Sequence, residues 1–148
     1  MNMNDKYSIS TDAARLDLDA IHAFLVGAYW CIDIPREVVA RSIEGSLCFG
    51  VYLGTAQVGF ARVVSDLATF AYLGDVYILE AHRGRGLGKE LMAAIMAHPD
   101  LQGIRRFQLA TNDAHGLYAS FGFSPLATPE TQMEITRGGM YTKSSESS

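Results

Sequence analysis

Cysteine is nearly absent from this chain: Cys31 and Cys48 are the only two in 148 residues. No C-x-x-C pair or His/Cys cluster is present to hold zinc, so no metal is expected. Cys48 sits in an apolar run, where a buried inert thiol is the usual outcome. No stretch reaches the ~20 apolar residues that span a bilayer, and the first residues lack the basic-then-apolar layout of a secretory leader. These absences predict a soluble cytoplasmic protein without a membrane partner. Basic residues are also few, with 12 Lys and Arg against 16 Asp and Glu and a net charge of −4. A nucleic-acid-binding face needs more positive charge than that. There is no internal repeat. Hydrophobic residues make up 49% of the chain, enough for one substantial core in a domain of this length. The domain is expected over residues 1–136. The polar, serine-rich stretch 137–148 reads as a flexible tail.

The positive charge that exists is concentrated at Arg83, Arg85, Lys89, Arg105 and Arg106. Three of these belong to the most informative stretch, residues 76–89 (VYILEAHRGRGLGK). An apolar, β-branched run stops, a short basic loop with alternating glycines follows, and an amphipathic helix begins at Leu87. A strand that feeds a glycine-rich turn at a helix start is an anion site. Unpaired backbone N–H groups and the helix dipole meet there. Glycine lets the backbone approach a phosphate, and arginine suits its oxygens geometrically.

Three phosphate loops compete for this pattern. A P-loop needs G-x-x-x-x-G-K-[ST]; Gly84 to Gly88-Lys89 is one residue short, and Glu90 stands where a hydroxyl would hold magnesium. A dinucleotide fingerprint needs G-x-G-x-x-G early in a βαβ unit, whereas Gly84, Gly86 and Gly88 alternate strictly and fall past mid-chain. The third pattern, R-x-x-G-x-G, is spelled by Arg83, Gly86 and Gly88. A tight basic turn with glycines for steric reasons satisfies the same letters. A second motif follows the strand-like run at residues 107–110: A-x-x-L-Y-x-x-x-G-F, carried by Ala114, Leu117, Tyr118, Gly122 and Phe123. Asn112 or Asp113 is placed to cap a short helix there, and Gly122 to end it in a left-handed conformation.

Together the two motifs, over roughly residues 47–126, resemble the GCN5-related N-acetyltransferase (GNAT) superfamily. Periodicity predicts the rest of the layout. A strand covers 7–10, a helix runs from Thr11 or Asp12 to about Ala28, and a second helix starts at Pro35 and ends at Ile43. Strands follow at 47–53, 57–64 and 69–79, then a helix at 87–97, a strand at 106–110, the Tyr118 helix and a last strand at 131–136. This order matches the α+β fold of the superfamily: a mixed, mostly antiparallel sheet with helices on both faces.

The resemblance also implies chemistry. Acetyl-CoA is the expected cofactor, held by Arg83, Gly84, Arg85, Gly86, Leu87, Gly88 and Lys89. A backbone N–H on the long strand, at Ile78 with Tyr77 beside it, would polarise the thioester. Asn112 would meet the pantetheine arm. Thr111 is the nearer match to an asparagine common in that motif. Tyr118 matches the general acid, and a phenol with a pKa of about 10 keeps its proton at neutral pH. A core aromatic is the alternative for that residue. Asp75, three residues before Ile78, matches a catalytic or substrate-facing carboxylate; a solvent-facing aspartate at a strand entry is its alternative. Glu80, His82 and His115 are further candidates for moving the amine's proton.

The acceptor pocket would come from the first two helices and their connection, where Tyr29, Trp30 and Asp33 offer an aromatic wall and a carboxylate for a cationic amine. The alternative for Trp30, and the preferred one, is a hydrophobic plug between the helices. The expected reaction is acetyl transfer to a primary amine of a small molecule by direct attack in a ternary complex, since neither cysteine falls in the motifs. Two alternatives stay open: a protein or peptide N-acetyltransferase, and a non-catalytic acyl-CoA-binding or sensing module. A homodimer is compatible with the resemblance.

Overall fold

Short alternating and apolar runs pair into one five-stranded sheet in the order β1-β2-β3-β4-β5. The computed structural model describes residues 6–142. Its elements are β1 (Tyr7–Ser10), α1 (Leu18–Leu25), α2 (Arg36–Glu44), β2 (Leu47–Leu53), β3 (Ala56–Ser65), β4 (Phe70–Ile78), α3 (Leu87–Ala97), β5 (Arg106–Leu109) and α4 (His115–Ala119). β1 to β4 form an antiparallel meander. β5 lies parallel to β4, reached through α3 as a parallel neighbour requires.

Strand alternation sends side chains to two cores. On one face Phe49, Val51, Val63 and Leu73 pack against Leu87, Leu91, Met92 and Ile95 of α3 and Tyr118 of α4. On the other, Cys48, Phe60 and Tyr77 pack against Ile21 and Leu25 of α1 and Val39 of α2. Helices therefore cover both faces, as the pattern predicts. Among the described residues no helix is long and apolar enough to cross a membrane, and no group of three His, Cys, Asp or Glu is placed to hold a metal ion.

Local chemistry sets the helix ends. α3 starts at Gly86, whose φ of 78° and ψ of 13° place it in the left-handed region that favours glycine. Glu90 N–H closes the first turn onto Gly86 O at 3.0 Å. His98 turns extended ahead of Pro99, which ends the helix. Gly122 has the expected positive φ, 97°, after α4.

Several expectations fail. The single helix from residue 11 or 12 to 28 is broken. Asp12 caps a 3-10 turn, Ala13–Arg15, and Asp17 then caps α1 by accepting from Ala20 N–H at 3.0 Å. Two good cap residues five apart start two elements instead of one. Neither Asn112 nor Asp113 caps α4. Thr111 Oγ1 accepts from Ala114 N–H at 3.0 Å instead. No strand forms at 131–136: a 3-10 turn, Pro129–Thr131, leads into a segment without regular structure. The end of the serine-rich tail, residues 143–148, lies outside the described residues.

Candidate active site

The site begins with a parting of two strands. β4 and β5 pair only from Phe70↔Arg106 to Leu73↔Leu109. β4 continues to Ile78 while β5 has already ended, so among the described residues one edge of 74–78 has no strand neighbour. A β-bulge shapes the same stretch. Phe60 pairs with Tyr77 but Arg62 with Gly74, so β4 carries one extra residue here. Asp75 sits in the bulge with a φ of 56°, a left-handed conformation that aspartate tolerates better than most residues.

The open edge exposes backbone donors. Leu79 N–H donates to Val58 O at 2.8 Å, towards β3. N–H direction alternates along an antiparallel strand, so Ile78 turns its own N–H and C=O the other way. Its carbonyl accepts from Arg83 Nε at 2.8 Å. The Ile78 N–H therefore faces the gap between the strands.

The gap widens into a cavity of about 830 Å³. One end is lined by Arg83, Gly84, Gly86, Leu87 and Gly88 at the N-terminus of α3. Gly84 and Gly86 both take positive φ, 80° and 78°, which curls the loop tightly into the start of α3. His82 also lines this end, and its Nδ1 lies 2.8 Å from Tyr7 Oη.

The middle of the cavity is bounded by Asn112, Leu117 and Tyr118. Tyr118 is buried and presents its ring edge-on to Phe123, with centroids 6.1 Å apart. Burial first, then the nearby Asp113, raises its pKa above the ordinary phenol value. The hydroxyl keeps its proton.

The other end is aromatic and holds one ion pair. Phe24, Tyr29, Trp30 and Tyr72 line it together with Arg62 and Asp75. Asp75 Oδ2 accepts from Arg62 Nε at 2.8 Å, and Oδ1 accepts from Trp30 Nε1 at 2.9 Å. Arg62 also donates from Nη1 to Ser46 Oγ at 3.1 Å. The ion pair is mostly shielded, with side-chain exposures of 22% and 12%. Tyr29 stands perpendicular to Trp30, centroids 5.1 Å apart, and Phe24 stacks flat on Tyr77 at 3.9 Å.

Residues 44–125, more than half the chain, match the acetyltransferase (GNAT) domain family. The chain belongs to the GNAT acetyltransferases. A candidate acetyltransferase of Gibberella zeae is 36% identical over 76% of this chain and 75% of its own length. An uncharacterized N-acetyltransferase of Prochlorococcus marinus is 31% identical over 74% of this chain and 63% of its own. A crystal structure of a candidate GNAT acetyltransferase from Xanthomonas campestris superposes with a TM-score of 0.90 at 55% identity, covering 93% of this chain and 97% of that one.

Within this GNAT fold, the sequence-predicted residues are not all brought together. Tyr77, Ile78, Arg83, Gly84, Gly86, Leu87, Gly88, Asn112, Tyr118, Asp75, Tyr29 and Trp30 line one cavity. Arg85, Lys89 and Asp33 are exposed outside its wall. A helix turns each successive side chain by about 100°, so Lys89 points away from the face that Leu87 buries. The ring of Tyr77 packs in the α1 core and stacks on Phe24, which shares the cavity wall with it. Trp30 is 44% exposed and bonded to Asp75, so it forms a wall and not a plug. Sequence reasoning missed Arg62. Its signal is that it is the one charge in the run 56–65 (AQVGFARVVS).

Proposed function

We propose that this GNAT domain transfers the acetyl group of acetyl-CoA to a primary amine of a small molecule, by direct attack in a ternary complex. The observation that carries the reading is the parting of β4 and β5 beside the N-terminus of α3, which sets unpaired strand amides next to an anion loop. The amides of residues 84–88 would hold the pyrophosphate, with Arg83 supplying charge. The unpaired edge of residues 74–78 and Asn112 would flank the pantetheine arm. Ile78 N–H would donate to the thioester carbonyl as negative charge develops on its oxygen. Tyr118, kept protonated by burial, would give its proton to the departing sulfur.

Asp75 is assigned the amine's proton. A carboxylate offers about four acceptor sites, and Trp30 and Arg62 occupy two. The aromatic rings around it suit an ammonium group that must enter before it is deprotonated. Direct attack is favoured because neither Cys31 nor Cys48 lines the cavity. Both thiols are pushed up to about 11, chiefly by burial, which leaves little thiolate for an acyl-enzyme.

The test is free-thiol release from acetyl-CoA across a panel of small amines and lysine peptides, run on the native chain and on Tyr118→Phe. Turnover on a small amine is expected, with kcat in the variant lowered at least tenfold and coenzyme affinity within twofold. Tight coenzyme binding without turnover on any acceptor would refute the enzyme assignment in favour of a sensor. Turnover confined to peptides would refute the small-molecule acceptor.

A further inference from the structure

Gly50, Gly59 and Gly74 lie inside strands of the sheet, and packing accounts for two of them. A Cβ at Gly50 would collide with the ring of Tyr52, and one at Gly59 with Ile78. Gly74 of β4 is different. Among the described residues, a Cβ there would meet only the ring of Tyr72, at 3.6 Å, an ordinary contact. Its φ lies outside the left-handed region. Neither packing nor backbone conformation therefore asks for glycine at this position. The cross-strand neighbour of Gly74 is Arg62, whose guanidinium is held aside by Asp75 and Ser46. Arg62 stands two residues from Phe60 on β3, so Gly74 lies on the sheet face that α1 and α2 cover. The protein thus leaves a slot there, and Gly74 and Tyr72 both line the cavity.

The surroundings of the slot are aromatic and carry no net charge. Rings run in contact from the core outward: Tyr77 on Phe24 at 3.9 Å, Phe24 to Trp30 at 6.4 Å, and Trp30 to Tyr29 at 5.1 Å. The protein leaves the outer rings uncovered, with Tyr29 68% and Tyr72 38% exposed. One ammonium group at Asp75 is too small to cover them. A second flat ring covers such faces well, stacked or edge-on. Asp75 is the one carboxylate that lines this end, and Arg62 already neutralises it. A polycation would find no second carboxylate here.

We propose that the acceptor is an arylalkylamine whose flat ring lies in the slot over Gly74, beside Tyr72, while a short alkyl arm carries the amine to Asp75. The fate of that amine rests on the acetyl-transfer reading above; the fit of the ring does not. Gly74 then sets specificity. It admits a ring that the methyl of alanine would push out, whereas an amine without a ring never uses the space.

Trp30 is the single tryptophan of the chain and lines this end of the cavity, so its fluorescence reads occupancy without turnover. The full chain is titrated with 2-phenylethylamine, n-propylamine and spermidine in the presence of coenzyme A. The Kd for 2-phenylethylamine is expected at least tenfold below the other two, because only it buries a ring. Gly74→Ala should raise that Kd at least tenfold, leave those of n-propylamine and coenzyme A within twofold, and leave Tm no lower. Tyr72→Leu, at an exposed position, should raise it at least threefold, which keeps the test readable if Gly74→Ala disturbs the strand. Absent binding of 2-phenylethylamine, or binding no tighter than that of the ring-free amines, overturns the proposal. So does a Gly74→Ala chain that keeps full affinity for 2-phenylethylamine or loses its hold on coenzyme A. Thiol release from acetyl-CoA separates the two readings. Selective ring binding without release on any amine upholds the slot and overturns the acetyl transfer, and release confined to ring-free amines does the reverse.

Discussion

Replacing Gly88 with alanine should raise the stability of the free protein and weaken its hold on coenzyme A. Gly88 is the second residue of α3, and its φ lies outside the left-handed region. A Cβ built there meets only Leu117 Cδ2, at 3.9 Å, an ordinary contact. Nothing in the fold therefore resists the methyl, and alanine is the better helix former by up to about 1 kcal/mol. In a first turn about half of that is realistic, or a rise in Tm of roughly 1–2 °C for a domain of this size. The same methyl points towards Leu117, which shares the cavity wall with Gly88. An anion seated on the first-turn amides must then move away. Losing one charge-assisted hydrogen bond costs about 1.5–3 kcal/mol, so affinity should fall roughly 10- to 150-fold. Scanning calorimetry gives the first quantity and titration calorimetry with acetyl-CoA the second. An unchanged Kd alongside a raised Tm would refute the placement of the pyrophosphate on α3.

Two further outcomes follow from the geometry. Trp30→Phe removes the 2.9 Å bond to Asp75 but keeps an aromatic ring against Tyr29; steady-state kinetics should show the acceptor KM raised several-fold with coenzyme Kd unchanged, and loss of folding would instead mark Trp30 as structural. Both thiols are raised from 9.0 to about 11, chiefly by burial. Their stabilising contribution is therefore complete below pH 9 and lost as pH rises through 11, because the unfolded chain ionises first. At pH 8 the thiolate fraction is about 100-fold below that of an ordinary thiol, so a disulfide reagent should label both cysteines about that much more slowly in the folded chain than in denaturant.

Much of the fold was readable from residue order. The limits of β1, β2 and α3 follow from local chemistry, because an alternating run, a turn glycine and a proline after the last turn act within a few residues. The first helix was misread for a local reason too: Asp12 and Asp17 are equally good caps, and residue order alone does not say that both are used. The stretch 131–136 has the alternation of a strand, but a strand exists only where an edge receives it, and this chain's own β5 does not.

The glycine-arginine loop lay open in the sequence because its parts are contiguous. Glycine freedom, helix amides and arginine charge all come from residues 83–88. The aromatic end of the cavity depends on distance closed by folding. Trp30 and Asp75 are 45 positions apart, and the bulge that turns Asp75 towards Trp30 and Arg62 arises from the register of β3 against β4. Sequence by itself thus determined the glycine-rich loop of residues 83–88 and the start of α3, since those signals are local. Only the tertiary structure decided that β4 and β5 part, that Arg62 neutralises Asp75, and that Lys89 points away. Those are facts of pairing between segments that share no neighbours along the chain.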